Sequence, residues 1–372
     1  MERRSPVLCA RARRHEHGSR FPADRAVVRS FLMRGPLSGA MTRFEWMVPA
    51  FPGAGVHRDA PLYEEFDWEL TESAVRLADA LGYEALWAPD HFMLGVDDHE
   101  LEVWTLLSGM AALTDDANVG PLVGAVTYRN PALLAKMATS LDVMSRGRVE
   151  LGLGAGWHEE EHRAYGYEFP PIDERIDRLD EALRLITAMW TDTRATFEGE
   201  YYEVHDAPNV PQPVQDPHPD IMIGGSGPRM LRLVAEHADA WNVEITSRNR
   251  GPSVEEKVNY LEKYLDEAGR SPDDVEYTWL GHCLIADSEQ RVAELTERVL
   301  PVPSASPDQD FDLTTVEEAR EHGDYFIGTP AEVSEQIAEK RELGFERFQL
   351  IFVDWPSLDG LRLFADEVMG TV

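Results

Sequence analysis

An acidic residue and a histidine directly follow an apolar run in the first third of the chain. Residues 85–89 form that run, and Asp90 and His91 come next. Side chains at the carboxyl ends of parallel strands meet at the mouth of a barrel, where active sites are built. A histidine can give or accept a proton near neutral pH. We therefore predict that Asp90 and His91 are catalytic. The alternative is a structural loop in which Asp90 holds His91 by a hydrogen bond.

Two glycine-rich turns each follow an apolar run and provide candidate ligand-binding backbone. The first, residues 152–157, reads GLGAGW and offers Gly154, Ala155, Gly156 and Trp157. It departs from the dinucleotide-binding fingerprint G-x-G-x-x-G, because Trp157 stands where the third glycine is required. What remains is a turn that lets backbone approach a ligand closely, or a tight turn with no ligand.

The second turn has amide groups suited to an anion. Residues 223–229 read IGGSGPR and include Gly224, Gly225, Ser226 and Gly227 ahead of a predicted helix. Free amides at a helix N-terminus bind phosphate and other anions. Two such turns on successive parallel strands favour one elongated ligand that contacts both.

A third pattern matches a zinc-binding signature. His158, three glutamates and His162 satisfy H-E-x-x-H, in which both histidines bind zinc and the first glutamate is the general base. The segment is almost wholly polar and lacks a long amphipathic helix, and Gly166 falls one residue too late for the metzincin extension. A zinc hydrolase using His158 and His162 is kept as a remote alternative, and we predict no metal site.

The elements that must position these residues alternate between strands and helices. Short apolar runs occupy residues 44–48, 84–87, 119–126, 149–153, 221–223, 240–245, 277–285 and 348–353. Helical periodicity occupies residues 131–145 and 172–190, and Thr329-Pro330 begins another helix. In the helix 131–145 we expect one apolar face, formed by Leu133, Leu134, Met137, Ala138, Leu141 and Met144. Residues 196–214 and 301–312 interrupt the alternation as insertions. The pattern predicts an α/β fold with a parallel sheet, closed as a barrel or open and doubly wound.

Composition excludes several classes of partner. The 372 residues carry a formal charge of -33, yet residues 1–40 hold nine arginines and three acidic residues. Such an acidic body disfavours nucleic acid and anionic membranes, and it is typical of a salt-adapted, halophilic protein. With Cys9 and Cys283 as its only cysteines, the chain fits a reducing cytoplasm. We predict a disordered basic extension over 1–40, from a mis-assigned start codon, and a single domain over 41–372.

From about Met41 onward the chain resembles the luciferase-like monooxygenase superfamily, specifically its coenzyme F420-dependent oxidoreductase branch. The matching segments are residues 82–91, 127–136, 141–157, 211–215, 238–242 and 328–330. The resemblance implies a (β/α)8 TIM barrel with insertion segments and a cofactor lying across its C-terminal mouth. It places Leu122 and Val123 at a backbone bulge behind the cofactor ring, often with a non-proline cis peptide.

The resemblance also assigns roles to the residues found above. The turns at 154–157 and 224–227 would hold the ribityl-phosphate side of the cofactor, and Asp90 and His91 would lie beside its reactive carbon. His91 would be the proton donor or acceptor. The segment from His158 to His162 becomes the polar helix after the fourth strand. Relatives that oxidise sugar phosphates carry an acidic residue where Trp157 stands, so that activity is not implied. We expect Trp157 to line the site, with barrel packing as the alternative.

The leading hypothesis is hydride transfer between reduced coenzyme F420 and a small organic substrate. The alternatives are an FMN-dependent monooxygenase that uses O2 and a separate reductase, the zinc hydrolase, and a barrel that binds flavin without turnover. The resemblance also implies a homodimer. The substrate is not encoded in any motif, because its contacts come from loops such as 95–100 and 301–312.

Overall fold

The structure is a computed structural model and describes residues 42–50, 66–94, 98–243, 252–299 and 325–372. The predicted extension over 1–40 and the insertion over 301–312 lie outside these residues, as do residues 95–97 of the predicted substrate loop.

Strands and helices alternate along the described chain as the apolar runs predict. The strands are β1 (Arg43–Met47), β2 (Ala85–Ala88), β3 (Asn118–Pro121), β4 (Gly124–Ala125), β5 (Glu150–Gly154), β6 (Ala195–Glu198), β7 (Glu203–Ala207), β8 (Asp220–Gly224), β9 (Ala240–Val243), β10 (Glu276–Ile285), β11 (Tyr325–Gly328) and β12 (Phe345–Phe352). The helices are α1 (Trp68–Leu81), α2 (Val103–Leu113), α3 (Pro131–Ser145), α4 (Glu159–Tyr165), α5 (Ile172–Thr191), α6 (Pro228–His237), α7 (Val254–Ala268), α8 (Glu289–Val299), α9 (Pro330–Arg341) and α10 (Asp359–Glu367).

The main sheet is parallel and closes into a barrel. Its strand order is β3-β2-β1-β12-β10-β9-β8-β5-β4, with β11 beside β10. β3 and β4 are two parts of one barrel strand, interrupted at Leu122 and Val123, and a parallel bridge from Val119 to Val149 brings β3 against β5. Eight strand positions with helices outside them confirm the (β/α)8 barrel and exclude the open sheet. The predicted insertion at 196–214 contains the antiparallel hairpin β6–β7 outside the barrel.

Helix α3 has the predicted bounds, but the predicted apolar face is partly wrong. Asn130 caps its first turn and Pro131 occupies its first position, where a missing N–H costs nothing. The buried stripe includes Leu134, Ala138 and Leu141. Leu133 and Met144 are instead 55% and 67% exposed. Each lies one residue, about 100° around the helix, from the buried stripe, so it faces away from the barrel.

Charged side chains fill the barrel at the amino ends of its strands. Arg347 is 1% exposed and donates to Glu45 Oε1 at 2.6 Å, Glu150 Oε2 at 2.7 Å and Glu276 Oε2 at 3.1 Å. Trp87 Nε1 donates to the other oxygen of Glu45 at 2.7 Å. This network closes the bottom of the barrel and leaves the opposite, carboxyl-terminal mouth for a ligand. Within the described ranges, no helix combines the length and apolar character needed to cross a membrane.

Candidate active site

Asp90 ties two barrel strands together at the mouth. It is 2% exposed, and its Oδ2 accepts from the Ala125 amide at 3.1 Å and from Arg129 Nη1 at 2.6 Å. Burial raises the pKa of Asp90, and the Arg129 guanidinium opposes that rise. Arg129 also donates to Glu102 Oε1 at 2.8 Å. The second oxygen, Oδ1, is buried with no hydrogen-bond partner among the described residues. Asp90 therefore fixes the ends of β2 and β4 and keeps one acceptor free.

His91 is held by a glutamate that the sequence reasoning missed. Its Nδ1 lies 2.8 Å from Glu161 Oε2, and the side chain is 14% exposed. Glu161 is fully buried and also accepts from the Tyr128 hydroxyl at 2.6 Å and from the amides of Phe92 and Met93. In the H-E-x-x-H pattern Glu161 is only a spacer position. The signal available in the sequence was that Glu161 comes soon after the glycine turn at 152–157, which the sequence predicts to lie at the barrel mouth.

The hydrogen bonds keep Glu161 ionised. Burial alone raises the pKa of this carboxyl, but the bonds from His91, Tyr128 and the Phe92 amide outweigh burial and lower the pKa to about 2. Glu161 is therefore an anion across the neutral range. This gives the site a fixed negative charge directly behind the His91 ring.

The histidines of the zinc-like motif are engaged by protein groups. Nδ1 of His162 lies 2.7 Å from the carbonyl oxygen of His158, and Nε2 lies 2.7 Å from Thr127 Oγ1. Burial lowers the pKa of His162, which favours a neutral ring that donates from Nδ1 and accepts at Nε2. With both nitrogens of His162 engaged by Thr127 and the His158 carbonyl, the ring has no nitrogen left for the zinc that the H-E-x-x-H signature binds through both histidines. The structure thus gives the zinc hydrolase no support.

Trp157 lies beside His91 at the mouth. The two ring centroids are 5.1 Å apart and steeply inclined at 67°. Trp157 also stacks on His158, with centroids 4.8 Å apart and an interplanar angle of 14°. Its side chain is 46% exposed, so it is a wall of the mouth rather than part of the barrel packing.

Three strands pack closely around Val123 below the mouth. The peptide bond from Leu122 to Val123 is cis. A Cβ added at Gly154 would lie 2.9 Å from Val123 Cγ2, and one added at Gly224 would lie 2.8 Å from the same atom. At Gly152 it would lie 2.1 Å from the carbonyl oxygen of Pro121. Side chains are therefore excluded at these positions, and Gly154 and Gly224 make room for the half-buried side chain of Val123.

The two glycine turns have backbone conformations that favour glycine. Gly156 has φ 77°, and a Cβ there would lie 3.0 Å from Thr127 Oγ1. Gly225 has φ 122°, and its carbonyl accepts from Trp241 Nε1 at 2.8 Å. Ser226 is half-buried, while Gly227 is exposed and begins α6 without a side-chain cap. An uncapped helix N-terminus after a glycine turn is suited to an anionic group.

The geometry brings most of the predicted site to one end of the barrel. Asp90 follows β2, the Leu122–Val123 bond joins β3 to β4, the first glycine turn follows β5 and the second follows β8. Because all of these strands are parallel, their carboxyl ends share one edge. The arrangement can bind an elongated ligand that contacts both glycine turns and can move a proton at His91.

Comparison with known proteins identifies the class to which this barrel and site belong. A sequence model of the family described as luciferase-like monooxygenase matches residues 42–347, and the chain belongs to this family of oxidoreductases. It is 30% identical over 311 residues to a protein from Microbacterium testaceum named F420-dependent glucose-6-phosphate dehydrogenase, covering 79% of this chain and 90% of that one.

Two further similarities extend over most of the chain. A protein from Pseudomonas putida named FMNH(2)-dependent dimethylsulfone monooxygenase is 25% identical over 349 residues, covering 88% of this chain and 92% of that one. The crystal structure of the monooxygenase RslO1 from Streptomyces bottropensis superposes with a TM-score of 0.72 at 21% identity, covering 88% and 99% of the two chains. The structural similarity supports the barrel fold.

Proposed function

We propose that this protein is a coenzyme F420-dependent oxidoreductase that transfers a hydride between the cofactor and a small organic substrate. The observation that carries the choice of cofactor is the comparison of relatives. Identity to the protein named for F420 is 30% over 311 residues, against 25% over 349 residues for the one named for FMNH2. The site geometry supports either ring, because both need a phosphate-binding turn and a nearby proton carrier.

The described residues fit such a cofactor. Gly154 and Gly224 make room for the side chain of Val123, which is half-buried and would present its exposed face to a planar ring. Gly225 to Gly227 and the N-terminus of α6 would hold the phosphate side. Asp90 Oδ1, buried without a partner among the described residues, is an acceptor available to a donor group of the ligand. When bound, the deazaflavin supplies the carbon that carries the hydride.

The chain's own residues position the substrate and move the proton. His91 is held at one nitrogen by Glu161, and no described residue hydrogen-bonds to its other nitrogen. A substrate hydroxyl or carbonyl next to that nitrogen can exchange a proton with it as the hydride moves. Trp157 forms the adjacent wall, with its ring centroid 5.1 Å from that of His91. An aromatic wall in place of an acidic residue favours a substrate other than a sugar phosphate.

The FMN-dependent monooxygenase is the second candidate, supported by the relative from Pseudomonas putida. Titration of the purified protein with coenzyme F420 and with FMN distinguishes the two. We expect tighter binding of the deazaflavin. Tight FMN binding with no deazaflavin binding would transfer the assignment to the monooxygenase.

The proton-transfer role is tested with His91→Ala in single-turnover reactions. We expect the rate of hydride transfer to fall by about 10²–10⁴-fold, the usual contribution of a positioned acid or base. Cofactor affinity should change far less, because the phosphate side is held by the second glycine turn. An unchanged rate would refute the role of His91.

A further inference from the structure

Glu161 differs from its neighbours on the same short helix. Three glutamates are consecutive in α4, and Glu159 and Glu160 are exposed while Glu161 is fully buried. A buried carboxylate is costly unless it is fully hydrogen-bonded. Glu161 meets that condition with four donors drawn from two segments that follow β2 and β4. These four hydrogen bonds therefore explain why Glu161 is buried.

The two oxygens of Glu161 have different partners. Oε1 accepts from the backbone amides of Phe92 and Met93, which are donors in every protonation state. Oε2 accepts from the Tyr128 hydroxyl at 2.6 Å and lies 2.8 Å from His91 Nδ1. An ionised carboxylate carries no proton, so the hydrogen between Oε2 and Nδ1 must belong to the imidazole.

We propose that Glu161 is a positioning residue that holds His91 in the tautomer protonated at Nδ1 and reserves Nε2 as the proton-accepting atom at the barrel mouth. This inference deepens the proposed function and rests on it for the reaction, although the tautomer itself is a property of the protein alone. Tautomer control by a buried carboxylate is the arrangement that orients the histidine of serine hydrolases.

The assignment fixes how the proton and electrons balance during oxidation of an alcohol. The substrate C–H bond breaks and its electron pair leaves as hydride to the oxidised deazaflavin. The O–H bond breaks and its proton passes to His91 Nε2, while the C=O bond forms. His91 then carries a positive charge that the anionic Glu161, 2.8 Å away, stabilises. In carbonyl reduction each transfer is reversed.

The variant Glu161→Gln tests the tautomer directly. The amide oxygen of glutamine must remain at the Phe92 and Met93 amides, because those groups only donate. The NH2 group then takes the place of Oε2 and donates to His91 Nδ1. The imidazole must accept at Nδ1 and carry its hydrogen on Nε2, so the reserved acceptor is lost.

The measurement is long-range ¹H–¹⁵N correlation of histidine-labelled protein without cofactor, recorded over a pH series up to the point at which one nitrogen of His91 carries no hydrogen. The His91 signals are identified by their absence in His91→Gln. We expect a protonated Nδ1 and a bare Nε2 in the wild type, and the reverse in Glu161→Gln. Glu160→Gln makes the same charge change at an exposed neighbour and should match the wild type. A wild-type hydrogen on Nε2 would overturn the proposal, as would an unchanged spectrum in Glu161→Gln.

Tyr128→Phe gives a second reading should Glu161→Gln fold poorly. It removes one donor from Oε2 and leaves the contact with Nδ1, so the Nδ1–H tautomer should persist. A shift to Nε2–H in this variant would contradict control by Glu161.

Measurements of turnover give an independent test. With an alcohol that the wild type oxidises using the deazaflavin, Glu161→Gln should lower kcat by about 10²–10⁴-fold with little change in KM. The loss is expected because the histidine then has the wrong tautomer, as in hydrolase triads that lose their carboxylate. Adding it to His91→Ala should cause no further loss, since the two residues act as one unit. An additive loss would refute the coupling. Absence of alcohol turnover in the wild type would count against the proposed function, whereas the tautomer result stands or falls by the spectra.

Discussion

The packing of glycines around Val123 predicts a specific rescue by a second substitution. In Gly154→Ala the new methyl group would lie 2.9 Å from Val123 Cγ2, whereas ordinary contacts begin at 3.4 Å. Relieving this overlap requires a shift of Val123 or of the strands around it. Overpacking of this kind costs about 1–3 kcal/mol in the free energy of unfolding.

Removing the obstructing methyl groups should relieve that cost. Val123→Ala alone loses half-buried apolar contact and should destabilise the protein by roughly 1–2 kcal/mol. In the double variant Gly154→Ala/Val123→Ala the overlap is absent. We therefore expect its loss of unfolding free energy to be smaller than the sum of the two single losses by about 1–3 kcal/mol. Gly152→Ala is the matched control, because its Cβ would meet the Pro121 carbonyl oxygen at 2.1 Å. Backbone cannot be trimmed in this way, so Val123→Ala should leave most of that cost in place.

The assay is denaturant unfolding of the wild type, the single variants and the two double variants, analysed as double-mutant cycles. A cycle for Gly154 and Val123 that is additive to within about 0.5 kcal/mol would refute the packing argument. Equal rescue of Gly152→Ala would also refute it, by showing that the strands simply move apart.

Three further outcomes concern charge. Arg347→Met leaves Glu45 and Glu150 buried without their cation, so denaturant unfolding should show a loss of about 3–5 kcal/mol in the free energy of unfolding at neutral pH. The loss should shrink toward about pH 4 as the carboxyls protonate, and an equal loss at both pH values would contradict this. Burial raises the pKa of Asp354 from 3.8 to about 6, so its contribution to stability is complete below about pH 4 and is lost as the pH rises through about 6. Asp354→Asn should therefore be more stable than the wild type at about pH 8, by up to about 3 kcal/mol, with the advantage absent at about pH 4; a constant difference in unfolding free energy would exclude the titration. The melting temperature should rise as potassium chloride is increased from low to multimolar concentration, because salt screens the repulsion within a chain of charge -33. A flat or falling melting temperature would contradict salt adaptation.

Features specified by neighbouring residues could be predicted from the sequence. The start of α3 follows from Asn130 and Pro131, and its end follows from the helical periodicity of residues 131–145, although the left-handed C-cap is Arg146 rather than a glycine. The placement of Asp90 and His91 at a strand end follows from the apolar run before them. Each of these depends on backbone preferences and hydrophobic periodicity within a few residues, which a linear sequence displays.

Tertiary structure alone decided the contacts that determine the chemistry of the site. Glu161 reaches His91 across 70 residues of sequence, and no local pattern in the sequence pairs the two residues. The exposure of Leu133 and Met144 depended on which side of α3 faces the barrel. Barrel closure brought β3 against β5 and packed Val123 among the glycines. Local propensities set where strands and helices begin and end. Which side chains then meet depends on the relative position of elements distant in the chain, and that is determined when the whole barrel packs.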